Sequence, residues 1–118
     1  MARILVADDE MALRAFVARA LEGAGHEVAE AEDGSDALAK LAGAPYALRL
    51  SDIMMPGMDG IELALIATHR YPNLRVLLMS GYVDQRERAH NLDALIRDVI
   101  AKPFTLADIR AKVAAALV

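Results

Sequence analysis

The chain has 118 residues, enough for one domain and too few for two. Its 56% apolar content supplies a real core, and the absence of cysteine excludes disulfides and thiolate metal sites. Seventeen acidic against 13 basic residues leave a formal charge of −4, and with two Phe, three Tyr and no Trp there is neither a basic field nor a stacking platform for nucleic acid.

Residues 3–7 form a short apolar run that suits a strand buried on both faces. Asp8 and Asp9 stop it, too early for a signal peptide. No later run approaches the roughly 18 apolar residues of a membrane span, so a cytoplasmic protein without membrane contact is expected. Leu13, Phe16, Val17 and Leu21 draw one stripe down a helix that Gly23 and Gly25 close. Residues 26–31 alternate as a second strand. Asp33-Gly34 turns the chain into a helix centred on Ala37, Leu38 and Leu41, ended near Gly43 and Pro45. A third strand spans 46–52. Pro56, Gly57 and Gly60 mark a loop, and a helix follows through Ile61, Leu65 and Ile66 until Pro72-Asn73. Residues 74–80 are the clearest strand. Asp84 followed by Glu87 reads as a variant capping box opening a short charged helix. Residues 99–101 are a brief fifth strand, and Thr105 with Asp108 caps a last helix carrying Leu106, Ile109, Val113 and Leu117. Five strands alternating with five helices predict a single α/β domain over residues 1–118, doubly wound around a parallel sheet.

In such sheets, ligands bind beyond the carboxyl ends of the strands. Strand one ends in Asp8-Asp9, strand three in Asp52, strand four in Ser80 and strand five in Lys102. Each has an ordinary reading alone: a turn or capping aspartate, a loop hydroxyl, a solvated lysine. All of them at one edge make a site. Three carboxylates in one crevice repel one another; a hard dication with oxygen ligands relieves this, which means Mg²⁺, with Mn²⁺ as the alternative. Lysine and hydroxyl added to carboxylates and dication suit a phosphoryl group, and a carboxylate can itself be the nucleophile.

At these residues the sequence resembles the receiver domain of two-component response regulators, from Arg3 to the end. The matching pieces are Ile4-Leu-Val-Ala-Asp-Asp-Glu10, Asp52-Ile-Met-Met-Pro-Gly-Met-Asp-Gly60, Met79-Ser-Gly81 and Lys102-Pro-Phe104. The resemblance implies a flavodoxin-like sheet of order 2-1-3-4-5 with five helices and a cis Lys102–Pro103 bond. It makes Asp52 the phosphoacceptor, Asp9 a direct Mg²⁺ ligand, Asp8 a ligand largely through water, and Met54 a ligand through its backbone carbonyl. Ser80 would hydrogen-bond one phosphoryl oxygen and Lys102 would pair with another. The donor would be a phosphohistidine on a histidine kinase or histidine phosphotransfer protein. The readout would be a surface around the helix opened at Asp84, the fifth strand and the last helix, offered to a downstream protein partner. Met54 and Tyr82 are placed to control water access and the reset.

Some residues depart from the family pattern. Val99 stands where an aromatic side chain usually follows the switch. Arg49 lies in a central strand, where the expectation is that it sits at the lower edge and snorkels to water, with a contact surface as the second reading. Ser51 is given no function. His26, His69 and His90 read as solvated surface histidines, and the stretch from Asp84 to Arg88 as either a solvated helix face or a contact.

The expected function is a phosphoacceptor switch rather than an enzyme, stand-alone because the chain starts at Met and stops after the last helix. Its alternatives are a receiver module of a hybrid kinase or phosphorelay and a phosphorylation-independent interaction module. An aspartyl phosphatase would need an acid–base aspartate two residues past Asp52, where Met54 stands, and an acidic first loop would repel a flavin phosphate. A homodimer through the last two helices is compatible with the pattern.

Overall fold

The computed structural model describes residues 2–81 and 95–118. Five parallel strands form one sheet: β1 (Arg3–Ala7), β2 (Glu27–Ala31), β3 (Leu48–Asp52), β4 (Arg75–Ser80) and β5 (Asp98–Ala101), in the order β2-β1-β3-β4-β5. Among the described residues, four helices cover it: α1 (Met11–Gly23), α2 (Gly34–Gly43), α3 (Gly60–Arg70) and α4 (Leu106–Ala116). The helix expected at Asp84, Tyr82, His90 and the charged stretch from Asp84 to Arg88 lie outside the described residues.

Three of the four described helices start where a side chain supplies an acceptor for an orphan amide, whereas α1 opens at Glu10 without a side-chain cap. The Asp33 carboxylate accepts from Asp36 N, and Asp59 does the same for Glu62 N at 2.8 Å. Thr105 and Asp108 form the expected reciprocal box. The Asp59 cap was missed in the sequence reading, although Asp59-x-x-Glu62 is the same signal as at Thr105.

Each sheet face has its own core. Ile4, Val6, Leu48, Leu50, Leu77 and Met79 pack against Val17 and Leu21 of α1 and Ile109 and Val113 of α4. On the other face, Leu5 and Ala7 meet Leu41 of α2 and Leu63 of α3, while Val76 and Leu78 meet Ile61 and Ala64. Two stripe assignments change. Leu65 is exposed and Ile66 half-buried; α3 instead buries Ile61, Leu63, Ala64 and Ala67. Phe16 is also exposed, leaving Val17, Ala18, Ala20 and Leu21 as the buried face of α1. In both helices the small alanines let the backbone approach the sheet, so the packed face follows close fit rather than side-chain bulk.

Arg49 does not snorkel. Its side chain is 0% exposed, because the flanking strands β1 and β4 and helix α3 leave β3 no edge to reach water from. Burial pushes the guanidinium down to about 9, and its Nη2 donates a long 3.5 Å hydrogen bond to Gly60 O. His26 is half-buried rather than fully solvated. Its Nδ1 accepts from Ala2 N at 3.2 Å, and desolvation, then the nearby amino terminus, lowers its pKa. His69 is exposed, as expected. The Lys102–Pro103 bond is cis.

Candidate functional site

Strand register assembles the site. Ala7 of β1 pairs with Ser51 of β3, so Asp8 and Asp52 follow as neighbours at the strand ends. Asp52 pairs with Met79, which puts Ser80 one step further along β4. Ser80 pairs with Ala101, and Lys102 N donates to Ser80 O at 2.9 Å, which carries the lysine across the same edge. The abrupt change from apolar strand to polar terminus is thus converted into a cluster.

Asp8, Asp9 and Asp52 each offer a carboxylate oxygen within 4.8 Å of the other two. Asp8 and Asp52 are buried and Asp9 is exposed. Lys102 Nζ stands 3.2 Å from Asp52 Oδ1 and 3.9 Å from Asp8 Oδ2. Desolvation pushes the Asp8 carboxyl up to about 6, with the Asp52 and Asp9 charges adding to it and the Glu10 amide and Lys102 opposing. Asp52 is also raised, again by desolvation first and Asp9 last, against the pull of Lys102. Burial more than mutual repulsion therefore holds both carboxyls up, and at Asp52 the pull of Lys102 outweighs the charge of Asp9.

A dication fits this donor set. Asp8 Oδ1 is taken by Glu10 N at 2.9 Å, but Oδ2 is buried with no hydrogen bond. Buried acceptors left in that state are rare, and the cluster holds only hard oxygen donors with no cysteine or histidine. Those features favour Mg²⁺ over softer ions. Met54 is in the loop after β3 and is 53% exposed.

The turn that carries Asp8 is held from three sides. Asp8 N donates to Ala31 O, Glu10 N to Asp8 Oδ1, and Arg14 Nη1 to Asp8 O at 2.8 Å, with Arg14 Nε on Glu30 Oε1 at 3.0 Å. Arg14 escaped the sequence reading; its only signal there is a basic residue inside the apolar stripe of α1, six positions after Asp8.

The loop after β3 is tied back to the strand by Gly60, whose N–H donates to Ile53 O at 2.7 Å. A Cβ on Gly60 would overlap Asp52 O and lie 2.9 Å from Ile53 Cα. Gly60→Ala is accordingly expected to destabilise the protein by about 1–3 kcal/mol through forced backbone displacement. Urea melts would show it, and an unchanged midpoint would mean that the close approach relaxes freely.

Residues 4–114 match the family described as the response regulator receiver domain. The response regulator receiver protein CpdR of Brucella abortus is 38% identical over 109 residues, covering 92% of this chain and 91% of that protein. The response regulator MprA of Mycobacterium avium is 38% identical over 116 residues, covering 98% of this chain but 50% of that protein. Among solved structures, the Thermotoga maritima response regulator TrrA in complex with Mg²⁺ and BeF superposes with a TM-score of 0.90 at 31% identity, covering 99% of this chain and all of that one.

Proposed function

Since the chain belongs to the response regulator receiver domain family, whose members are phosphorylation switches rather than classical enzymes, we propose that Asp52 takes a phosphoryl group from a phosphohistidine and that the change switches partner binding. The observation that carries this reading is the Lys102–Asp52 ion pair at 3.2 Å inside the three-carboxylate cluster. It pairs a nucleophile with a fixed cation where transferred charge would develop.

In the transfer, an Asp52 carboxylate oxygen forms the O–P bond as the P–N bond of the phosphohistidine breaks. The imidazole nitrogen keeps the electron pair and is protonated. Lys102 stabilises one phosphoryl oxygen, and the Ser80 hydroxyl donates to another. Asp8, Asp9, Asp52 and the Met54 carbonyl would hold Mg²⁺, which supplies charge neutralisation when bound; TrrA, solved with Mg²⁺ and BeF, supports that assignment. Hydrolysis of the acyl phosphate resets the switch, with the exposed Met54 guarding water access.

The partners that follow are a histidine kinase or histidine phosphotransfer protein upstream and a protein target downstream. The readout surface is the groove between β5 and α4, lined by Val99, Ala101, Phe104, Asp108 and Lys112. Val99 is an aliphatic group that also packs, half-buried, against the Ile53, Val76 and Leu78 cluster on the α3 side, so Ser80 rather than an aromatic rotamer carries the switch. The matches to CpdR over 91% of its length and to MprA over 50% of its length, both response regulators, support a receiver that signals through partners.

The test is intact-mass measurement after incubation with Mg²⁺ and acetyl phosphate, beside Asp52→Asn and an EDTA control. A gain of one phosphoryl group in the wild type alone is expected. A folded wild type that gains nothing, from acetyl phosphate or from a phosphorylated kinase, would leave a phosphorylation-independent interaction module.

A further inference from the structure

Among the described residues, the buried polar and charged side chains are Asp8, Asp52, Ser80, Ser51 and Arg49. Three of them line the site. Ser51 and Arg49 precede Asp52 on β3, and their partners on β1, Ala7 and Leu5, belong to the core face that α2 and α3 cover. Arg49 therefore points into the layer between sheet and α3.

Its environment is poor for a cation. Nε and Nη1 are buried without a hydrogen bond, and no carboxylate pairs with it among the described residues. Burial lowers the guanidinium to about 9, so it is still charged at neutral pH. An apolar side chain would fill the same place without that penalty. What Arg49 gains is one contact, to Gly60 O, and Gly60 is the residue wedged against the Asp52 and Ile53 backbone.

We propose that Arg49 is a positioning residue for phosphoryl transfer: acting through Gly60, it holds the Asp52–Ile53 backbone in the geometry the reaction needs, at the expense of stability. This rests on Asp52 being the phosphoacceptor. Arg49 touches no reacting atom. It donates to the carbonyl of Gly60, the first residue of α3, while the Gly60 N–H donates to Ile53 O, so the start of the helix is tied to the acceptor strand at both ends of one residue. A local rule broken beside a site, with stability lost and geometry gained, is the pattern expected of function rather than of packing.

The experiment compares wild type, Arg49→Met and Arg49→Leu in thermal melts and in time courses of phosphorylation by acetyl phosphate with Mg²⁺, read by intact mass. Both variants should melt higher than wild type, by about 4 °C or more. Their rate at saturating donor should fall about tenfold, with the half-saturating donor concentration unchanged, because misplacement lowers reactivity rather than donor binding. Higher melting with wild-type phosphorylation would overturn the proposal and leave Arg49 a tolerated core charge. Lower melting, or failure to fold, would overturn it too, since the charge would then be a stabilising one. If the wild type itself takes no phosphoryl group, the assignment of Asp52 fails first, and that result differs from both.

Discussion

Replacing Lys102 with methionine is expected to slow phosphoryl transfer to Asp52 by about 10²- to 10³-fold, the range for losing one preorganised charge-stabilising group. Methionine keeps most of the length and apolar stem of lysine while removing the charge, which stands 3.2 Å from Asp52 and 3.9 Å from Asp8. The opposite effect is expected on the dication: Lys102 repels any cation that binds the same carboxylates, so Mg²⁺ affinity should rise in Lys102→Met. Phosphorylation time courses with acetyl phosphate, together with calorimetric titration of Mg²⁺, separate the two. Slower transfer with tighter Mg²⁺ binding identifies the lysine as a charge stabiliser. An unchanged rate would remove Lys102 from the machinery, and weaker Mg²⁺ binding would mean that the substitution had disturbed the acidic pocket instead.

Most of this arrangement was legible in the order of residues. A buried parallel strand must be apolar throughout, so each point where a strand stops at Asp8, Asp52, Ser80 or Lys102 announces a change of environment. Parallel topology then forces all those points to one edge. Capping at Thr105 was equally readable, because its signal is local. What failed were judgements that depend on neighbours. The stripe of α3 was read from the bulk of Leu65 and Ile66, whereas the helix packs through Leu63, Ala64 and Ala67, whose fit depends on the opposing side chains. Arg14 was invisible as a support for Asp8 because its partner is a backbone carbonyl, which carries no sequence signature.

Arg49 shows the limit most sharply. Snorkelling was the sensible expectation for an arginine on a strand, since a buried unpaired cation is costly. It fails because β3 is the central strand, covered on both sides and beneath α3, so the side chain has no route out. A violated expectation of this kind marks where stability has yielded to something else. The acidic cluster, to which the same strand contributes Asp52, is the second such place, and the two are joined through Gly60.

Asp8→Asn should raise the melting temperature of the metal-free protein at pH 7 by about 5 °C or more while abolishing the stabilisation that Mg²⁺ gives the wild type. Asp8 carries a folded pKa of about 6 against an ordinary 3.8, with desolvation as the main cause. Between those values the folded state binds more protons than the unfolded one, so the stability of the metal-free wild type falls as pH rises through that window and stays reduced above it. The loss is on the order of 3 kcal/mol, and Asp52, raised in the same sense, adds to it. Asparagine removes the charge yet keeps an oxygen for the Glu10 amide, so the variant should show a flatter profile between pH 4 and 7. Melts with and without Mg²⁺ across that range read both effects. In the wild type, Mg²⁺ should restore most at pH 7, where the carboxylates are ionised and repel, and least near pH 5, where Asp8 is protonated and competes with the metal. A metal-free profile that is the same in wild type and Asp8→Asn would mean that Asp8 is not the strained carboxylate, and the buried charge that Mg²⁺ relieves would have to be sought at Asp52.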